Sequence, residues 1–445
     1  MWSKFEVIPS DREIIYLPSP LSALFNQDAS IKFGGGDAIN VNVLYTSEIE
    51  LCEDNTYENP GKIRISNKLR DKLLLPESLI YQIKISNSRI FVGPVIGLLL
   101  GIHTHRYNPK HMQKYTDRLG IYNKIGGLIY AFSPKSVNWI KHMAYGLFYN
   151  IVTSEWEYGC FPLPEVIYRR DFHSNPAYIK KLMEHTGGRL FNSYRFTKMD
   201  LYNYLITDNE LKKYLPPTEL SLNFEQVRKF IDRYPKVILK PIDLSRGRGI
   251  CIIEKIDSVY KITDYRYKFP VTSVLYDNGS LEQFFNLNQG LFNKYLIQKY
   301  LNLARIGDSL FDIRVVMQKH KGKVWSCTGI EFRVSANSHL TNISRGGYAL
   351  TLDEALRQSS IKDCKSFSLK INEFCQKICL HMDQVGHHFA EFGMDIAVDV
   401  DQNIWLIEAN VFPSFKGFKK TDRQTYLSIR YTPLLYALSL TQFGE

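Results

Sequence analysis

The chain has 445 residues, 44% of them hydrophobic, with a formal net charge of +11. That length suits two or three domains with a sizeable core, and the lack of any apolar run of about 18 residues excludes a membrane-spanning helix. The positive surplus favours anionic partners (nucleotides, polyanions, acidic peptides), while the absence of a zinc-finger or basic-zipper pattern argues against specific nucleic-acid binding.

The N-terminus "MWSKFEVIPSDREIIY" has no secretory apolar segment, so an intracellular, cytoplasmic protein is expected. Seven scattered cysteines fit reduced thiols. Cys375 and Cys379, four apart, read as small buried thiols on one helix face rather than a metal site, because no CxxC pair is present.

Residues 1–90 read as a small β-rich module. Short strand-like pieces such as "EIIYLP" and "LIYQIKIS" are broken by turn residues, including Gly34 to Gly36. No catalytic constellation stands out there.

Residues 91–194 read as an α/β layer with parallel strands. "IFVGPVIGLLLGI" (Ile90 to Ile102) predicts a buried strand or strand pair, and "GLIYAF" and "LPEVIYRR" predict further strands. "PKHMQKYTDRLGIYNKIG" and "SVNWIKHMAYGLFY" have helical character. "HTH" offers His103 and His105 on one face of a strand.

Residues 195–445 carry the chemistry. "TKMDLYNYLITDNELKKYL" predicts a helix stopped by "PPT". "KVILKPIDLSRGRGICIIEK" predicts a hairpin: a strand with Lys240 near its end, a loop from Ser245 through Arg246 and Gly247 to Gly249, then a second strand. It is neither a Walker loop nor a dinucleotide fingerprint, since no helix follows. Its amides and cations suit phosphates, and they suit an ordinary basic turn equally. "KYLIQKYL" is an apolar strand containing Gln298 and Lys299. In "FDIRVVMQ", Asp312 and Arg314 share one face while Ile313, Val315 and Met317 share the other. A further strand ends near Arg333, before a donor-rich loop with Asn342, Ser344 and Arg345.

"GMDIAVDVDQNIWLIEAN" reads as a hairpin. A two-residue turn at Gln402-Asn403 sets Asp395 opposite Asn410 and Ala397 opposite Glu408. Directly opposed residues project to one face, so Asp395, Glu408 and Asn410 converge. Two carboxylates that close call for a cation, and hard oxygen ligands suit Mg²⁺ bound with substrate phosphates. Asp399 and Asp401 read as solvated turn residues.

A strand lysine before a glycine loop, an apolar hinge strand, D-x-R, N-x-S-R-G-G and D…E-x-N form the ordered signature that this chain shares with the ATP-grasp superfamily, which it therefore resembles. "GPVIGLL", "FPLPEVIYRR", "LFNSYRFTKMDLYNYL", "YLPPT" and "NISRGG" resemble the YheC/YheD group, associated with the endospore coat in Bacillus relatives. The resemblance implies an ATP-grasp domain at 195–445, an α/β pre-ATP-grasp domain at 91–194 and the β-rich module before them.

By position, the resemblance implies that Lys198 and Lys240 contact nucleotide phosphates under a lid of Ser245 to Gly249. Gln298, Lys299, Tyr300 and Leu301 would line the adenine through backbone groups, and Asp312 would take the ribose. Arg314, Arg333 and Asn342 would hold the anionic acceptor or the phosphoryl group in transfer. Asp395, Glu408 and Asn410 would hold one or two Mg²⁺, with Mn²⁺ as a substitute. The hinge departs from the family pattern in carrying Gln298 where Glu is frequent. The implied reaction is ATP-dependent joining of a carboxylate and an amine through an acyl phosphate, with association with the spore coat; the basic surface, Arg314, Arg333 and the tail "KGFKKTDR" suggest an acidic amino acid or peptide as acceptor. The rival expectations are a non-catalytic coat or scaffold protein and a phosphotransferase.

Overall fold

The computed structural model describes residues 1–25, 29–48, 54–171, 173–243, 248–267, 269–335, 347–359 and 364–444. Among these the chain forms four sheets in succession. The first has eight strands, with Trp2–Ile8 between Ile80–Ser86 and Gly61–Ser66 near its middle.

The chain crosses to the second sheet inside "IFVGPVIGLLLGI". Arg89–Gly93 pairs with Ile80–Ser86 in the first sheet, while Val95–Leu99 is central in the second. The expected strand pair is thus one strand in each of two sheets. Pro94, which has no amide to donate, stands between them.

The second sheet has a parallel heart. Leu128–Asn138 and Val166–Arg169 flank Val95–Leu99, both parallel to it, and Leu190–Phe191 extends the row. Val95, Ile96, Leu98 and Leu99 are buried, which is why this strand reads as a continuous apolar run. A hairpin of Met143–Asn150 and Glu155–Pro162 completes one edge. It corrects the helical reading of "SVNWIKHMAYGLFY": Ile140, at a helical spacing from Met143, is 93% exposed in a turn, while buried Ala144 and exposed Tyr145 alternate as in a strand. His103 and His105 also differ from expectation. They lie in and beside a short 3₁₀ turn, Thr104–Arg106, because Gly101 at φ +106° ends the extended backbone.

The third sheet contains the expected hairpin of Lys236–Pro241 and Cys251–Ile256. Tyr295–Lys299 pairs with Lys236–Pro241 on one side and Thr218–Leu220 on the other. Helix Phe224–Arg233 buries Val227, Phe230 and Ile231, the spacing of one helical stripe, against this sheet.

The fourth sheet runs Tyr348–Thr351, Trp325–Val334, Ser309–Lys319, Glu391–Val398, Ile404–Asn410, with every neighbour antiparallel. Ile313, Val315, Met317, Met394 and Ile396 form its core face and pack with helix Cys364–Met382. Cys375 and Cys379 are fully buried there, as the sequence predicts. Helix Arg423–Ser439 covers part of the opposite face through Ile429, then carries Leu434, Tyr436 and Ala437 back into the core of the first two sheets. No helix among the described residues is long and apolar enough to cross a membrane.

Candidate nucleotide and metal site

Two lysines converge where the third and fourth sheets meet. Thr197 caps helix Lys198–Ile206 through a reciprocal capping box with Asp200, which fixes Lys198 at the first helical position. Lys198 Nζ donates to Pro241 O at 3.3 Å. Lys240 Nζ donates to Gln298 Oε1 at 2.6 Å, and Gln298 Nε2 donates to Thr218 Oγ1 at 2.8 Å. Burial and the Lys198 charge push the Lys240 ammonium down to about 8. Leu201, Leu215, Leu296 and Leu406 give this cleft its apolar lining.

In the hinge two backbone amides are used by the sheet. The amide of Lys299 donates to Pro217 O at 2.9 Å and that of Tyr300 to Lys236 O at 3.0 Å, so both are committed to the fold. Both ends of the Gln298 side chain are engaged too, and its role in this structure is to position Lys240. Leu301 follows at the hinge end, half-buried. Gly249 has φ +75°, a conformation that leaves few alternatives to glycine. Ser245, Arg246, Gly247 and Asn342 lie outside the described residues.

On the fourth sheet the register assembles a charge cluster. Asp312 faces Arg333 across one pair of strands, and Arg314 faces both Glu331 and Asp395. Arg333 clasps Asp312 with two bonds, Nε at 2.6 Å and Nη2 at 2.7 Å. Arg314 Nε donates to Asp395 Oδ1 at 2.6 Å, and Arg333 Nη2 lies 3.0 Å from Asp395 Oδ2. Burial alone would push the Asp395 carboxyl up, but the two guanidiniums hold it below the usual carboxylate range. Glu331, a member that the sequence reading missed, is 2% exposed, and its Oε2 has no hydrogen-bond partner among the described residues. Burial pushes its carboxyl up to about 7, against the pull of Arg314 and Arg333. Strand alternation would have found it, since Glu331 and Arg333 are two apart.

The hairpin that carries the acidic residues has a different register from the one predicted. Val398 faces Ile404, Ala397 faces Trp405 and Ile396 faces Leu406; after an irregularity at Ile407, Asp395 faces Glu408 and Gly393 faces Asn410. The cause is the turn. Asp399 is 8% exposed and accepts from the amides of Asp401 and Asn403, from Asn403 Nδ2 and from Trp405 Nε1, so it organises a longer loop and is not merely solvated. Asp395, Glu408 and Asn410 nevertheless share one face. Burial raises the Glu408 carboxyl, Lys198 opposes the shift, and the Asp395 charge adds to it. A side chain at Gly393 would collide with Pro413 and crowd Arg314, so close approach requires glycine there.

Two carboxylates and an amide oxygen on one face are a donor set that fits Mg²⁺ supplemented by phosphate oxygens. The mutual repulsion of Asp395 and Glu408 is what a cation would relieve. Among the described residues no group of three or more His, Cys, Asp or Glu side chains is arranged to hold a metal ion. The candidate set has two such side chains and would depend on the nucleotide for the rest.

The second sheet buttresses this face. Arg170 Nη2 donates to Pro413 O at 2.9 Å and Nη1 to the fully buried Glu391 at 2.5 Å, while Gln318 Nε2 donates to Glu391 at 2.7 Å. Arg314 Nη1 donates to Ser414 O at 3.2 Å. The segment after Asn410 is thereby held from both sides. Lys419 of helix Lys416–Thr421 and Arg423 of helix Arg423–Ser439 approach Asp117 at 3.8 and 3.4 Å.

A family model for the YheC/D-like ATP-grasp domain matches residues 187–440. The chain is 26% identical over 423 residues to the endospore coat-associated protein YheD of Bacillus subtilis (strain 168), covering 90% of this chain and 87% of that protein. It is 23% identical over 294 residues to YheC of the same organism, covering 64% and 80%. Among solved structures, the ATP-grasp ligase PsnB with a minimal precursor aligns at a TM-score of 0.45 and 15% identity, over 78% of this chain and 100% of that one. D-alanyl-alanine synthetase A from Vibrio cholerae aligns at 0.42 and 11%, over 78% and 98%.

Proposed function

The chain belongs to the YheC/D-like ATP-grasp family, and from that premise we propose that it is an ATP- and Mg²⁺-dependent ligase joining a carboxylate to an amine. The observation that carries this reading is the convergence of Asp395, Glu408 and Asn410 on one face, with Lys198 and Lys240 acting on Glu408 from across the cleft. The catalytic unit is residues 195–445, preceded by an α/β unit at 91–194 and a β-rich module at 1–90.

In this reading Lys198 and Lys240 bind nucleotide phosphates, with Ser245, Arg246, Gly247 and Gly249 closing over them. Gln298 orients Lys240, and Lys299, Tyr300 and Leu301 border the base. Asp312 serves the ribose, although its clasp on Arg333 makes it equally an orienting group for that guanidinium. Arg314 and Arg333, with Asn342, hold the substrate carboxylate in line with the γ-phosphate. One carboxylate oxygen attacks phosphorus as the bond to the ADP oxygen breaks, giving an acyl phosphate; the amine then displaces phosphate and loses a proton. No nucleophilic side chain is needed, because positioning and fixed charge supply the catalysis. Asp395, Glu408 and Asn410 would hold Mg²⁺ or Mn²⁺, which neutralises phosphate charge when bound.

An acidic amino acid or peptide fits the acceptor role, given the net charge of +11. The names of YheD and YheC, endospore coat-associated proteins, suggest action at the spore coat. A second reading, a nucleotide-binding coat protein without turnover, is favoured by one observation: both Asp395 oxygens are occupied by guanidiniums. Conversion of ATP to ADP across a pool of carboxylates and amines, followed by mass spectrometry, separates the readings. A ligase yields the joined mass less water, a phosphotransferase yields a stable phosphorylated product, and a scaffold yields neither. Wild-type Mg²⁺-dependent turnover in Glu408→Gln would refute the metal assignment.

A further inference from the structure

The parallel strands of the second sheet end along one edge, and ligands of such sheets bind outside the carboxyl ends of their strands. Two turns meet there, one after Val95–Leu99 and one after Val166–Arg169, and between them they bring three imidazoles together. The His103 ring centroid lies 5.5 Å from that of His105 and 6.1 Å from that of His173. None of the site roles described above uses these residues.

Both turns are built rather than loose. The Tyr107 hydroxyl accepts from the Leu100 amide at 3.2 Å and lies 2.8 Å from Gly101 O and 2.7 Å from Phe132 O, so one phenol ties together the ends of two adjacent strands. Asn108 Nδ2 donates to His105 O at 2.7 Å. In the second turn the buried Asp171 accepts from the amides of His173 and Ser174 at 3.0 and 2.8 Å and from Arg169 Nε at 3.0 Å. That last bond commits the Asp171 charge to Arg169.

The edge is basic. Partial burial, with Arg106, His105, His173 and Lys135 as neighbouring charges, pushes the His103 imidazole below its usual range. A surface with an excess of positive charge concentrates counter-charged ligands. The edge also abuts the catalytic strand: the Arg169 guanidinium stacks 5.8 Å from the centroid of Phe412, two residues beyond Asn410.

Resting on the ligase reading above, we propose that this edge is the docking site for a carboxylate-rich acceptor peptide, anchored by His103, His105 and His173. The reacting end would lie at Arg314 and Arg333, while side-chain carboxylates further along the peptide meet the imidazoles. Such contacts are charge-assisted hydrogen bonds when the ring carries a proton.

The test uses the full chain and a fluorescein-labelled hexaglutamate peptide, read by anisotropy at low salt and at about pH 5.5, below the usual imidazole range, with hexaglutamine as the neutral control. Wild type is expected to bind hexaglutamate and not hexaglutamine. His103→Gln/His173→Gln is expected to weaken binding roughly tenfold or more, and the exposed His105→Gln by a smaller factor. Affinity for MgATP should stay at the wild-type level in both, which also reports that they fold. Failure of wild type to bind hexaglutamate, or wild-type affinity in the double variant, overturns the inference. Inorganic phosphate that displaces the peptide at equal concentration overturns it in favour of a small-anion site. Histidine-dependent peptide binding in a chain that neither binds nor turns over MgATP would leave the docking site standing and remove the ligase reading.

Discussion

Asp395 lies between two guanidiniums, Arg314 Nε at 2.6 Å from one carboxylate oxygen and Arg333 Nη2 at 3.0 Å from the other, and directly across the strand pair from Glu408. The residue expected to hold a cation is thus also the one that keeps two neighbouring arginines in place.

Removing that charge should cost stability as well as metal affinity. Asp395→Asn leaves two buried guanidiniums short of a counter-charge, and breaking a buried pair in this way costs about 3–5 kcal/mol. Urea unfolding should show a lower midpoint at unchanged slope, with part of the loss recovered by adding Arg314→Met, since Arg333 keeps its clasp on Asp312. An unshifted midpoint would mean that the arginines do not depend on Asp395.

Glu331 predicts a pH dependence. Its carboxyl titrates at about 7 in the folded chain against 4.5 unfolded, so the folded state binds the extra proton between those values. Stability therefore falls as pH rises from 4.5 to 7, and the deficit persists above. Glu331→Gln should flatten that slope and stabilise the protein at about pH 8 by roughly 1–3 kcal/mol. Thermal unfolding across pH for the two proteins is the check, and parallel curves would count against the assignment.

Lys240 predicts a pH dependence of nucleotide binding. With its ammonium lowered to about 8 from 10.5, positive charge in the cleft is lost as pH rises through about 8, and MgATP affinity should fall there. Stability moves the other way: the unfolded chain holds the proton up to 10.5, so this residue's destabilising effect fades between about 8 and 10.5. Gln298→Glu places a carboxylate against Lys240 and should move the binding inflection up by about one unit or more. Fluorescent-nucleotide titrations at several pH values decide it.

Arg170 predicts a mechanical dependence between sheets. Arg170→Ala strands the fully buried Glu391 without its cation and frees Pro413 O. A loss of about 3–5 kcal/mol in unfolding free energy is expected, with Arg170→Ala/Glu391→Gln less affected than the single change. Equal losses in both would show that the pair is not coupled.

Part of residues 195–445 was legible in the sequence, because short-range rules carried it. Lys240 before a turn and the shared face of Asp312 and Arg314 follow from local pattern, whereas the convergence of Asp395, Glu408 and Asn410 was reached through a register that the structure replaces and holds because the irregularity absorbs Ile407. The misreadings arose where local pattern and tertiary context diverge. Trp139, Ile140 and Met143 mimic a helical stripe, but Ile140 is in a turn and the strand after it buries Ala144 against its neighbours. The Asp399 network that lengthens the hairpin loop depends on Trp405 folding back, which no spacing rule reports. Alternation puts Glu331 on the face of Arg333, but its place opposite Arg314 is a fact of register across strands. Gln298 could be placed in the hinge, but its grip on Lys240 required the pairing of two strands distant in sequence.

The irregularity at Ile407 acts as a reading frame for the strand. Before it, even-numbered Ile404 and Leu406 point into the core; after it, odd-numbered Ala409 does, and even-numbered Glu408 and Asn410 point to the site. The irregularity absorbs one supernumerary residue, so Glu408 and Asn410 stay on the face of Asp395 without breaking the ladder. Were Ile407 taken into the ladder as a regular residue instead, Glu408 and Asn410 would turn into the core and Ala409 would face the cleft.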